Sequence, residues 1–126
     1  MITEDYVSFE VAKLLKEKGF DIPSFNPEEW PCCMYDEEGK LQWGSYSDDW
    51  CCRVTLQMTM KWLREVHNKH CDVGICKDGW FYDIFDTKVL TGDFYQEVKC
   101  YNSKEGFNSY EDAAEAAIKY CLENLI

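Results

Sequence analysis

The sequence predicts an α+β domain in which an antiparallel sheet, built from two hairpins and one further strand, packs against three helices. Three observations predict it: apolar residues recur at helical spacing in three segments, two stretches of strand-like residues flank Gly-containing turns, and Ser or Thr precedes each helical segment as a cap. At 126 residues with 46% hydrophobic content, the chain has material for one core and not two, so residues 1–126 read as a single domain. The expected order is α-β-β-α-β-β-β-α.

The first helix is expected to start after Ser8, or one turn earlier from Thr3, and to run to Lys18 with Val7, Val11, Leu14 and Leu15 on one face. Gly19 ends it, and Phe20 stands where a C-terminal cap places its hydrophobic contact. The Pro and Asn residues of "DIPSFNPEEWP" mark an irregular connection. "PCCMYDEEGKLQWGSY" then reads as a hairpin of residues 31–36 and 40–46 around "DEEG", followed by the loop "SDDW". Thr55 caps a helix from Leu56 to about Asn68, with Leu56, Met60, Leu63 and His67 at spacings of four, three and four, a rhythm that His70 continues.

In "CDVGICKDGWFYDIFD" the dipeptide Asp78-Gly79 is expected to turn the second hairpin, because both residues tolerate positive φ. A further strand is placed within "DFYQEVKCYN". Ser109 with Asp112 resembles a capping box, and Ala113, Ala117, Ile118, Cys121 and Leu122 form the stripe of the last helix.

The segments "MITEDYVSFEVAKLLKEKGF", "TLQMTMKWLREVHN" and "SYEDAAEAAIKYCLENLI" resemble those of a family of small acidic, uncharacterised proteins from gut Bacteroides genomes, their phages and mobile elements. That resemblance implies a bacterial or phage-linked setting and no activity or site residues.

Charge narrows the function classes. Lys and Arg number 13 against 24 Asp and Glu, a formal net charge of -11, with the acidic residues scattered along the chain. Nucleic-acid binders neutralise phosphates with clustered cations, so direct nucleic-acid binding is disfavoured. "MITEDYVSFEV" lacks the basic start and apolar run of a secretory signal, and no stretch approaches the roughly 20 apolar residues of a membrane span. A cytoplasmic protein without membrane contact is expected. Its eight cysteines are then expected to be thiols, mostly small buried fillers, rather than a disulfide framework.

"HNKHCDVGIC" carries both histidines of the chain beside Cys71 and Cys76. A set of His67, His70, Cys71 and Cys76 can be written as zinc ligands, but the spacing departs from two separated ligand pairs joined by a loop. On a continuous helix, His67 and His70 would lie within about 30° of the stripe of Leu56, Met60 and Leu63, extending a partly buried face. There a protonated imidazole would be favoured by the helix C-terminus by about 0.3–1 kcal/mol. A thiolate nucleophile needs a nearby base, and no Gly-rich elbow or phosphate loop surrounds any cysteine. Neither catalytic, cofactor-binding nor metal-binding residues are assigned.

The aromatic residues carry the functional expectation. In "GWFYDIF" strand alternation puts Trp80, Tyr82 and Ile84 on one face and Phe81, Asp83 and Phe85 on the other, so both faces are largely apolar. Each aromatic side chain buries about 150–250 Å², worth roughly 4–6 kcal/mol before entropy is subtracted. A sheet with helices on one side needs a second cover for such a strand. The interface residues expected are therefore Trp80, Phe81, Tyr82 and Phe85, with Trp30, Trp43 and Trp50 as a rim. The function expected is protein binding by a small acidic accessory or regulatory protein, as a homodimer or with another protein. Competing readings are a metal-binding or thiol-dependent enzyme centred on His67, His70 and Cys71, and an acidic DNA mimic.

Overall fold

The structure is a computed structural model and describes residues 2, 5–20, 33–43, 47–87, 100–103 and 106–126. Its first helix, α1 (Phe9–Glu17), starts because the Ser8 hydroxyl accepts from the Val11 N–H at 3.3 Å. It stops at Gly19, whose φ of +88° lets the chain reverse so that the Phe20 N–H donates to the Leu15 carbonyl (3.0 Å) and the Gly19 N–H to that of Lys16 (3.2 Å). Phe20 is buried, its ring in a T-shaped contact with that of Trp62 at 5.3 Å.

The strands β1 (Cys33–Tyr35), β2 (Leu41–Trp43) and β3 (Cys51–Cys52) form an antiparallel sheet in the order β2-β1-β3. The first hairpin stands, with Cys33–Tyr35 paired to Leu41–Trp43; residues 31, 32 and 44–46 of the expected 31–36 and 40–46 lie outside the described residues. β3 is an addition: Cys51 pairs with Tyr35 and Cys52 with Met34 just after the expected "SDDW" loop. A two-residue strand shows no periodicity of its own and exists through its partner. The order is therefore α-β-β-β-α-β-β-β-α.

Helix α2 (Leu56–His67) opens on Thr55, whose hydroxyl accepts from the Met58 N–H at 3.1 Å, and buries Leu56, Thr59, Met60, Trp62 and Leu63. The hydroxyl of Thr59 donates back to the Thr55 carbonyl (2.8 Å), which satisfies the one polar side chain among these buried residues. Asn68 adopts a left-handed conformation (φ 57°) and ends the helix.

A second sheet follows, in the order β4-β5-β6, from β4 (Lys69–Cys76), β5 (Gly79–Asp86) and β6 (Cys100–Asn102). The hairpin loop is Lys77 and Asp78 rather than Asp78 and Gly79, because Gly79 already pairs with Cys76. The far side of β5 is held by β6 and by Phe107, which exchanges backbone bonds with Trp80 at 2.9 and 2.7 Å. The two hairpins thus belong to separate sheets instead of one. Backbone bonds from Val7 to Val54 and from Leu56 to Asp5 pin the start of the chain between α2 and the first sheet.

The last helix, α3 (Tyr110–Tyr120), is capped by Ser109, which accepts from the Asp112 N–H at 3.1 Å, and it widens into a π-helical turn over Cys121–Leu125. Ala113, Ala114, Ala117, Ile118, Cys121 and Leu122 are fully buried. α3 touches α1, α2, β4 and β5, so it joins the second sheet to the two earlier helices. Glu115 adds a polar tie to α1 by accepting from the Ser8 N–H at 2.7 Å.

Because Ala117 is fully buried in the core, Ala117→Leu should lower unfolding free energy by about 1–3 kcal/mol in urea titration. A change below 0.5 kcal/mol would mean that α3 can shift away from its neighbours without loss.

Candidate functional site

Alternation along the second sheet separates an inner face from an outer one. Cys71, Tyr82 and Ile84 point inward and join the core with Leu63, Ala117, Ile118 and Cys121. Tyr82 is 9% exposed and Ile84 is 0% exposed; Tyr82 lies against the rings of Phe107 and Tyr120 at centroid distances of 6.0 and 6.4 Å. Trp80, on the same side at the start of β5, meets Tyr110 edge-on at 5.9 Å and stays partly exposed.

The outer face is built by cross-strand pairs in three successive rows: His70 opposite Phe85, Asp72 opposite Asp83, and Gly74 opposite Phe81. The imidazole of His70 stacks on Phe85, with centroids 6.4 Å apart and planes at 24°. Phe81 lies across β4 over Gly74, so closely that a Cβ at position 74 would stand 2.5 Å from the end of the ring. Phe81 and Phe85 are partly exposed and stand outside the hydrophobic core. Between these aromatic rows, Asp72 and Asp83 face each other with no cation within ion-pair distance among the described residues. Like charges directly opposite on an antiparallel pair repel and destabilise it.

The four expected contact residues therefore divide. Phe81 and Phe85 lie on the outer face, Trp80 sits at the margin of the inner one, and Tyr82 is sheltered by α3 inside its own chain. On the inner face Tyr82 and Ile84 are buried within the chain, while Phe81 and Phe85 on the outer face are partly exposed. Trp43, 67% exposed, belongs to β2 in the other sheet; Trp50 lines a cleft beside α1; Trp30 lies outside the described residues. That cleft, about 310 Å³, contains the Lys16 ammonium, which donates to the carbonyls of Asp48 and Trp50 and so ties α1 to the loop before β3. Sequence reasoning did not single out Asp72 and Asp83 as a pair, since their juxtaposition depends on the hairpin register.

The histidine and cysteine cluster does not converge. Asn68 breaks the helix between His67 and His70, so the expected common helical face is absent: His67 ends α2 against Trp62 at 4.6 Å, and His70 lies on β4. Cys71, the next residue along β4, points to the opposite face from His70. There its sulfur contacts that of Cys121 at 3.8 Å, and both thiols are buried. The Cys121 thiol and then burial push the Cys71 thiol far above the ordinary cysteine range, which keeps it protonated and unsuited to nucleophilic attack. Cys76 is exposed near the end of the hairpin. Among the described residues, no group of three or more His, Cys, Asp or Glu is placed to hold a metal ion.

His67 also departs from the expected helix-end cation. Burial, followed by the charges of Lys69 and Lys18, lowers its pKa below 6.5, and its Nε2 is buried without a hydrogen-bond partner. The neutral ring is the folded form.

No protein-family model matches the chain, and no curated protein or solved structure matches it significantly. None of the described helices is long and apolar enough to cross a membrane.

Two outcomes follow for the free protein. His67 takes up its proton more readily when unfolded, so its contribution to stability is present above about pH 6.5 and is lost as pH falls toward its lower folded value. Urea midpoints measured from pH 7.5 to 5.5 should fall less steeply in His67→Gln than in wild type; equal slopes would refute the assignment. Asp83→Asn removes the like-charge pair and should raise unfolding free energy by about 0.2–1 kcal/mol, whereas a loss of stability would show that the carboxylate is satisfied in place.

Proposed function

We propose that this protein is a small acidic accessory or regulatory protein that acts without catalysis, by presenting the outer face of the β4-β5-β6 sheet to a protein partner. One observation carries the reading: Phe81 and Phe85 stand partly exposed outside the core, while Tyr82 and Ile84 on the same strand are covered by α3. Exposed apolar area framed by polar groups is the ordinary mark of a protein contact. The net charge of -11 further favours a protein partner over a polyanion.

A homodimer is a second reading, favoured by a different feature. β4 stands at the end of its sheet, runs for eight residues and carries Ile75 at 66% exposure. Identical edge strands can pair antiparallel about a two-fold axis. That reading requires a dimer mass in light scattering during size exclusion, reduced to a monomer by Ile75→Lys.

The main reading is tested with Phe81→Ser/Phe85→Ser, two changes outside the core that should leave the circular dichroism spectrum unchanged. Tagged wild-type protein should retain its partner from the producing cell and gain amide protection over residues 79–86 in the complex. The double variant should retain none. Equal recovery of the same partner by both proteins would refute this binding face.

A further inference from the structure

The outer face also specifies what kind of segment it would receive, an inference that rests on the binding face proposed above. Its rows run aromatic, acidic, aromatic: Phe85 stacked with His70, then Asp83 opposite Asp72, then Phe81 lying over Gly74. Side chains on one face of a strand recur about every 6.7 Å, so Phe81 and Phe85 are separated by roughly 13 Å along β5 with the two carboxylates midway. An extended segment laid along β5 repeats at the same interval. Its residues i, i+2 and i+4 would meet the three rows in turn.

We infer that the partner presents an extended segment with an arginine between two apolar side chains, in the pattern apolar-x-Arg-x-apolar. The outer positions pack on Phe81 and Phe85, and the guanidinium takes the place between Asp72 and Asp83. A guanidinium suits that position because its planar fork can donate to two carboxylate groups while its flat faces lie beside aromatic rings. It also compensates two like charges that the register sets at paired positions. A second copy seated face to face fits poorly, because it would bring four carboxylates together with no cation between them.

The test uses the intact protein and a capped peptide containing Leu-Thr-Arg-Thr-Leu, with a companion in which citrulline replaces arginine. Amide shifts in nuclear magnetic resonance should concentrate at residues 70–74 and 81–85, and calorimetry should give at least tenfold weaker binding for the citrulline peptide. Asp72→Asn/Asp83→Asn should weaken the arginine peptide at least tenfold. Glu37→Gln/Glu65→Gln, which removes the same charge at two exposed positions elsewhere, should change affinity less than threefold. Equal effects of the two charge variants, shifts centred outside this face, or no binding would overturn the inference. If partner retention is lost in Phe81→Ser/Phe85→Ser but kept in Asp72→Asn/Asp83→Asn, the binding face survives and the arginine requirement fails. If the aromatic changes abolish self-association instead, the occupant is a second copy and the inference also fails.

Discussion

Close packing around α3 is the constraint on which the rest of this molecule depends. Ala113, Ala114 and Ala117 are fully buried on a helix that touches α1, α2 and the second sheet. Alanine keeps helix propensity high while adding almost no girth, so several elements can approach one axis together. Ile118, Cys121 and Leu122 supply volume at the lower end of the same face. The widening to a π-helical turn begins at Cys121, where its sulfur meets that of Cys71. The dithiol contact is thus part of the joint between β4 and the end of the chain.

That packing makes the second sheet asymmetric. Covering Tyr82 and Ile84 uses α3, and the alternation of β5 leaves Phe81 and Phe85 on the reverse side. The two faces consequently follow different rules: the inner is chosen for volume, and the outer combines apolar rings with two carboxylate residues at paired positions of the ladder. A surface selected only for solubility would gain nothing from partly exposed aromatic rings flanking paired charges. Under the proposed binding role, recognition would give both features a common physical purpose.

Local chemistry made the helices legible in the sequence. Ser8, Thr55 and Ser109 each cap a helix through their own hydroxyl, and Gly19 with Phe20 closes α1, all within a few residues. Long-range pairing was less legible. β3 depends on a partner strand many residues earlier, and the separation of the hairpins into two sheets depends on strand pairings that no local pattern encodes. A single left-handed residue, Asn68, converts an apparently continuous helical rhythm into a strand and sends His70 away from His67. The site was legible in part: alternation sorted Trp80 and Tyr82 from Phe81 and Phe85, but it could not say which side α3 covers. A loop of Asp78 and Gly79 would have set Asp83 opposite Gly74, whereas the loop of Lys77 and Asp78 brings it opposite Asp72.

Gly74 gives the outer face a property that its own atoms do not display. The missing side chain leaves a shallow bed on β4 in which the Phe81 ring reclines, instead of standing upright from the sheet. The relief of this surface is thereby written on the neighbouring strand, by a residue with nothing to offer a visitor. Evolution could reshape the footprint by altering the mattress while leaving the sleeper untouched.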